Sequence, residues 1–135
     1  MSKAVFSDLL RASPRRNRKS YFLLSLAGTV FGFVVMLPAF WLVDDLRPEH
    51  IEELRHSAIY WYMQVIPWLV GIPLTVINLI AAIQRCHDFN RSGWWMLLWF
   101  VPVVNFILFL VLFLYPGTHG PNRYGPDPRE ASPPA

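Results

Sequence analysis

Three long runs of the chain contain no charged residue, and they dominate its pattern of hydrophobic and polar positions. The runs extend over residues 21–43, 57–83 and 94–115. A helix rises about 1.5 Å per residue, so about 20 residues reach across a hydrocarbon core of about 30 Å. None of the runs has the polar stripe of a helix on the surface of a soluble protein. We therefore predict an all-α fold, a small polytopic membrane protein with three transmembrane helices.

The composition supports this assignment. Hydrophobic residues make up 54% of the 135 residues and charged residues 16%, whereas soluble domains carry about 25% charge. A disordered chain would be less hydrophobic, and a disulfide scaffold would need more than one cysteine. Both classes are excluded. The single cysteine, Cys86, is expected to be a reduced thiol.

Basic residues are unevenly distributed over the segments that flank the runs. Residues 1–20 hold six Lys or Arg residues and one Asp, while the first connection, residues 44–56, holds five acidic residues and two Arg. Cytoplasmic segments of membrane proteins carry the excess of Lys and Arg. We therefore predict an inner (plasma) membrane protein with a cytoplasmic N-terminus, and a periplasmic or extracellular C-terminus if all three runs cross.

This pattern divides the chain into four segments. In the first connection, Pro48 and the acidic residues around it predict a short interfacial helix. The predicted segments are residues 1–20, a basic cytoplasmic leader; residues 21–115, a three-span membrane domain; residues 116–128, a Gly/Pro turn motif; and residues 129–135, a disordered tail.

The densest polar chemistry lies in residues 84–93, here called the arginine loop. Arginine suits bidentate contacts with phosphate, and a helix that begins near Ser92 would offer free backbone amides to an anion. The loop is therefore a candidate site for an anionic lipid head group or for a partner; a polar hairpin that joins two helices through salt bridges and caps is the alternative. The candidate binding residues are Arg85, His87, Asp88, Arg91 and Ser92, and the candidate interface anchors are Trp94, Trp95 and Tyr124.

Catalytic and metal-binding functions receive little support from the loop. Cys86 and His87 are adjacent, and adjacent residues point apart on a helix or strand. One cysteine and one nearby histidine fall short of the three or four ligands that zinc requires. We expect no catalytic residue, no metal and no cofactor. Nucleic acid is not an expected partner either, because basic residues beside a membrane span are explained by topology.

Small residues and prolines inside the runs give two further hypotheses. Gly28 and Gly32 allow another helix to approach closely, either within the chain or in a homo-oligomer. In the second run, Pro67 and Pro73 lie on either side of Gly71 and remove two main-chain hydrogen bonds, which predicts either a kinked or a broken helix. Broken spans form substrate sites in transporters, so a small-molecule transporter or channel component is the alternative function.

The third run contains a possible turn at its centre. Pro102 and Asn105 lie there, and a re-entrant hairpin would bring the Gly/Pro turn motif to the same side as the arginine loop. Each arm of such a hairpin is too short to span about 30 Å alone. A full crossing by residues 94–115 is therefore the prediction, with the hairpin as the alternative.

Three groups of residues resemble motifs of the domain-of-unknown-function 805 (DUF805) family of small bacterial inner-membrane proteins. The resemblance covers residues from about 14 to 128, and it implies a bacterial inner-membrane location and architecture but no activity. The residues that carry it are Arg15, Asn17, Arg18, Tyr21 and Phe22 before and in the first run; Arg85, His87, Asp88, Arg91, Ser92, Gly93, Trp94 and Trp95 in and after the arginine loop; and Pro116, Gly117, Thr118, Gly120, Asn122, Tyr124, Gly125, Asp127 and Pro128 in the Gly/Pro turn motif.

The chain also departs from the family pattern. Ser20 replaces a frequent Glu, which removes a possible ion pair, and Gln84 replaces a frequent second arginine. Other departures are Pro14 for Gly, Cys86 for Leu and Asn105 for Gly. They leave the charged residues of the arginine loop intact.

Overall fold

The computed structural model describes residues 10, 14–42 and 58–130. The described part of the chain is helical and contains no β-strand, which confirms the all-α class. Its elements are helix α1 (Arg18–Leu42), helix α2 (Ala58–Asp88), a 3-10 helix (Gly93–Phe100) and helix α3 (Val104–Leu114). The predicted interfacial helix in residues 44–56 lies outside the described residues.

Two helices are long and apolar enough to cross a membrane. They are the segments Arg18–Pro38 and Tyr60–Asp88, and in an apolar 18-residue window of each only 11% is buried within the protein. The core helix of a soluble protein would be mostly buried, so this exposure is that of helices surrounded by lipid. Asn17 is the N-cap of α1, since its side-chain oxygen accepts a 2.8 Å hydrogen bond from the Ser20 amide.

Helix α2 corrects the sequence prediction in two respects. It continues through Pro67 and Pro73, so of the two alternatives for the second run the broken helix is wrong. Each proline removes one main-chain donor, but the neighbouring hydrogen bonds of a long apolar helix keep the helix continuous. The helix also extends to Asp88, five residues beyond the predicted end at residue 83, so half of the arginine loop is helical.

The chain forms two compact units. One consists of residues 27–76. In it the Tyr62 hydroxyl donates to the Val35 carbonyl, and a Cβ on Gly32 would lie 3.5 Å from Leu74. Gly32 therefore faces Leu74 of α2 within this unit. The other unit consists of residues 1–26 and 77–135 and contains the arginine loop.

The third apolar run is not one helix. The 3-10 helix ends at Phe100, and α3 begins at Val104 after a sharp reversal. At the reversal Pro102 has no N–H, Val103 has a positive φ of 69°, and the Val104 amide donates to the Pro102 carbonyl at 2.8 Å. Those features define a classic γ-turn, a rare and strained conformation for a β-branched residue. The prediction of a single helix over residues 94–115 is therefore wrong.

The two arms pack against α1 and the end of α2 around an apolar core. Leu112 is fully buried, and the Tyr21 and Phe113 rings lie 5.0 Å apart. Because α3 runs back along this core, its end returns to the end of α2. The buried apolar residues of the core are Tyr21, Leu24, Ala81, Ala82, Cys86, Phe89, Met96, Leu108 and Leu112.

This packing predicts different effects of the same substitution at two leucines of α3. Leu112→Ala leaves a cavity in the core and should lower the free energy of unfolding by about 2–4 kcal/mol. Leu110→Ala, at a side chain that is 38% exposed, is the matched control and should cost much less. Unfolding of the purified variants by SDS in mixed micelles measures both values. Equal losses at the two positions would contradict the packing of α3.

Candidate functional site

A buried carboxylate joins three distant segments of the chain. Asp88, at the end of α2, is 1% exposed and lies between Arg15 of the leader and Arg85 of α2. Thr118, in the Gly/Pro turn motif, binds the Asp88 main chain. Arg15, Arg85, Asp88 and Thr118 are called the Asp88 cluster. Two guanidinium groups stabilise a charge whose burial would otherwise be costly.

Arg15 makes the contacts that reach furthest along the sequence. Its Nε and Nη2 donate to Oδ1 of Asp88 at 3.2 and 3.1 Å, a two-point contact on one carboxylate oxygen. The same guanidinium donates to the carbonyls of Thr118 and Gly120, each at 2.6 Å, and to that of Gly125 at 3.3 Å. Arginine presents its donors in one plane, so a single side chain here orders a whole turn.

Arg85 binds the other oxygen of the Asp88 carboxylate and also caps the C-terminal end of α3. It is 0% exposed and donates Nη1 to Oδ2 of Asp88. Its Nε donates to the Leu112 carbonyl at 3.0 Å, and its Nη2 donates to the Tyr115 carbonyl. The last carbonyls of a helix have no partner within that helix, and they carry the negative end of its dipole. A buried cation at this point therefore caps α3.

The Gly/Pro turn motif approaches the cluster closely because one of its residues has no side chain. The amide and hydroxyl of Thr118 donate to the Asp88 carbonyl at 2.9 and 3.0 Å. At the preceding residue, Gly117, a Cβ would overlap the Asp88 carboxylate. Glycine is thus required here by space rather than by its backbone angles.

His87 and Tyr124 form a second contact between α2 and the turn motif. Their rings are stacked, with centroids 3.8 Å apart and planes within 7°. Asn122 donates its side-chain amide to the His87 carbonyl at 2.9 Å and to the Thr118 hydroxyl at 3.0 Å. The predicted interface anchor Tyr124 is therefore half-buried against a neighbouring side chain of the same molecule.

A carboxylate inside the turn motif fixes its far end. Asp127 accepts hydrogen bonds from the Arg129 side chain at 2.6 and 2.9 Å and from the Gly120 amide at 3.2 Å. The Arg129 guanidinium holds the pKa of Asp127 well below its usual range. Arg129 also donates to the Thr118 carbonyl at 2.9 Å. The tail predicted to be disordered from residue 129 is thus ordered at Arg129, and residues 131–135 lie outside the described residues.

Two departures from the family pattern take part in one contact. Arg16 donates Nε to the Gln84 side-chain oxygen at 2.6 Å and Nη1 to the Ser20 hydroxyl at 2.7 Å. The Arg16 amide also donates to the Gln84 carbonyl at 3.2 Å. Neutral side chains at positions 20 and 84 therefore bind a buried leader arginine.

The exposed rim beside the cluster carries two further arginines. The guanidinium of Arg91 lies over the Trp95 ring at 5.1 Å, and that of Arg123 lies over the Tyr124 ring at 4.7 Å. Arg123 also donates to the Asn90 carbonyl at 3.2 Å. We call Arg91 and Arg123 the rim arginines. The Ser92 hydroxyl accepts a hydrogen bond from the Trp94 amide at 3.4 Å and caps the 3-10 helix.

These contacts bring three segments of the chain to one site. Arg15, Asp88 and Thr118 touch one another, so the leader, the arginine loop and the Gly/Pro turn motif meet there. The re-entrant hairpin, the alternative to a full crossing by the third run, expects this meeting.

The structure separates the candidate residues that the sequence grouped together. Arg85 and Asp88 are buried in the cluster and Ser92 is a cap, while Arg91 and Trp94 are exposed, Trp94 by 76%. Cys86 is buried with its sulfur 3.9 Å from that of Met96. The described residues contain no group of three or more His, Cys, Asp or Glu side chains that could hold a metal ion.

Sequence reasoning missed the roles of Arg15, Gly117 and Thr118. Arg15 was one of six basic residues in the leader, and charge counting treats those residues as equal. The signal that could have found it is the joint occurrence of the three family motifs, together with Pro102 at the centre of the third run. A hairpin at Pro102 brings the second and third motifs together and leaves Asp88 as the carboxylate available to the leader.

The close approach at Gly117 gives a direct test of the cluster. Gly117→Ala should lower the free energy of unfolding by about 3 kcal/mol or more, because its methyl group displaces a carboxylate held by two buried arginines. Gly71→Ala is the matched control, since a Cβ there meets nothing within 4 Å, and it should be neutral or slightly stabilising. SDS unfolding of both variants measures the difference. If Gly117→Ala is as stable as the wild type, the close approach of Gly117 to the Asp88 carboxylate is contradicted.

Known proteins resemble the chain over most of its length. A family model described as "Protein of unknown function (DUF805)" matches residues 9–126. The chain is 33% identical to the Inner membrane protein YhaI of Escherichia coli (strain K12) over 129 residues, 96% of this chain and 95% of that relative. It is 30% identical to the Inner membrane protein YhaH of the same strain over 117 residues, 85% of this chain and 84% of that relative. No solved structure matches the chain. The two names agree with the long apolar helices of the structure, and the extent of the matches shows that the chain belongs to the DUF805 family.

Proposed function

We propose that this protein is a non-enzymatic component of the bacterial inner membrane that binds anionic lipid head groups at its rim arginines. The observation that carries the proposal is the exposed Arg91 guanidinium stacked on Trp95. Tryptophan is enriched at the level of lipid head groups, and arginine there meets phosphate. The ring attracts the cation through its π face, and the exposed guanidinium keeps its N–H donors for an anion.

The buried arginines have a different role in this proposal. Arg15 and Arg85 use their donors on Asp88 and on main-chain carbonyls, so they organise the surface instead of contacting lipid. This changes the expected binding set, in which Arg85 was paired with Arg91. The rim arginines now supply the charge, and Trp94 supplies an exposed aromatic ring at the same surface.

A variant of the rim arginines tests the proposal. Arg91→Gln combined with Arg123→Gln should weaken the attraction of anionic lipid by about 2 kcal/mol, since each basic residue near the surface contributes about 1 kcal/mol. The anionic fraction of the lipid that co-purifies with the protein measures the effect. Arg47→Gln combined with Arg55→Gln makes the same charge change in the first connection and is the control. An unchanged lipid composition in the rim variant would remove the proposal.

We also propose how the chain lies in the membrane. The basic leader favours a cytoplasmic N-terminus. Helices α1 and α2 cross the bilayer, while the 3-10 helix and α3 form a re-entrant hairpin. Eight residues at about 2.0 Å and eleven at about 1.5 Å give two arms of roughly 16 Å, about half of the hydrocarbon core. The Gly/Pro turn motif is then cytoplasmic as well.

Accessibility of single cysteines tests this arrangement. In a Cys86→Ala background, Lys19→Cys in the leader and Glu130→Cys after the turn motif should both be shielded from a membrane-impermeant thiol reagent in spheroplasts. Glu52→Cys, in the first connection, should react. Labelling of Glu130→Cys with protection of Lys19→Cys would show a full crossing by the third run and overturn the hairpin.

The transporter alternative receives no support from α2. A broken span would expose carbonyls for a substrate, and the helix is continuous through Pro67 and Pro73. Lipid binding therefore remains the function that the geometry favours.

A further inference from the structure

The side chains of the two rim arginines are held in the same way, although the residues come from different segments. Each guanidinium lies over an aromatic ring, Arg91 over Trp95 and Arg123 over Tyr124. Tyr124 is itself held by its stack on His87. Stacking restricts an otherwise flexible side chain before any ligand arrives, which lowers the entropy lost on binding.

The two rim arginines are connected at one peptide group of the surface. Arg123 donates to the carbonyl of Asn90 at 3.2 Å, and this carbonyl belongs to the peptide group that joins Asn90 to Arg91. The Arg91 amide in turn donates to the Cys86 carbonyl at 2.9 Å, so this point is fixed to the end of α2. The Arg123 guanidinium therefore lies against the peptide group from which the Arg91 side chain extends, so one arginine side chain is the most that separates the two charges.

Neither rim arginine is neutralised within the described part of the chain. The salt bridges found there engage Arg15, Arg85 and Arg129, and no carboxylate pairs with Arg91 or Arg123. Arg91 makes no hydrogen bond through its side chain to any described residue, and Arg123 uses one donor on Asn90. Two neighbouring positive charges without an anion repel each other, whereas two phosphates would satisfy both.

We propose that Arg91 and Arg123 together bind one doubly anionic lipid, in which two phosphates are joined through a short glycerol bridge as in cardiolipin. This inference rests on the lipid binding proposed above and specifies its ligand. Each guanidinium takes one phosphate, and Trp94 sets the depth at which the bridge lies. Because the first contact holds the second phosphate near its partner, the pair binds far more tightly than two separate contacts.

A lipid titration followed by native mass spectrometry tests this pairing. The detergent-purified protein is titrated with cardiolipin and, separately, with phosphatidylglycerol, which carries one phosphate. The wild-type chain should bind one cardiolipin at least tenfold more tightly than it binds phosphatidylglycerol. Arg91→Gln or Arg123→Gln alone should lower the cardiolipin affinity by at least tenfold, and the double variant should lose only about fivefold more. Arg47→Gln should leave the affinity unchanged.

The outcomes separate this inference from the proposal on which it rests. Two phosphatidylglycerol molecules bound per chain, equal affinity for both lipids and independent effects of the two arginines would overturn the pairing and keep anionic-lipid binding. No preference for either anionic lipid over phosphatidylcholine would overturn both. Because both side chains are exposed, the variants should unfold like the wild type in SDS, and this measurement shows that a loss of binding is not a loss of structure.

Discussion

The contact between the Asp88 carboxylate and two buried guanidinium groups is the constraint on which the rest of this unit depends. Arg15 and Arg85 approach the carboxylate from different segments, and each then uses its remaining donors on main-chain carbonyls. A single carboxylate thus fixes the leader, the end of α2 and the turn after α3 at one point. Removing it would leave two arginines buried without their counterion, which is among the most destabilising changes a protein interior can undergo.

The hairpin follows from the same contact. Arg85 binds the carbonyls of Leu112 and Tyr115, so the end of α3 must lie beside the end of α2. Since both ends of the third run are held there, the run has to reverse between them. The reversal is a strained turn at Val103, and the apolar core around Leu112 together with the cluster supplies the stabilisation that tolerates it.

The sequence was sufficient for the long helices and insufficient for the cluster, and the reason is distance along the chain. Uncharged runs of more than 20 residues predict α1 and α2 because hydrophobic length is a local property. The contact of Arg15 with Asp88 joins residues 73 positions apart, and that with Thr118 joins residues 103 positions apart. Pro102 is a local sign of the turn, whereas the length needed to span the core favours a full crossing. Pro67 and Pro73 do not break α2, because the preference of proline is only one contribution among many in a long apolar helix.

Arg85 and Arg91 show most clearly what tertiary structure adds to residue chemistry. Both are arginines of one short loop, and sequence alone gave them the same role. Arg85 is buried and binds the Asp88 carboxylate, whereas Arg91 is exposed at the surface. The two roles are linked, since Arg15 holds the carbonyls of Gly120 and Gly125 on either side of the turn that presents Arg123. The position of Arg123 therefore depends on an intact cluster, so the lipid surface proposed above depends on a carboxylate that is buried beneath it.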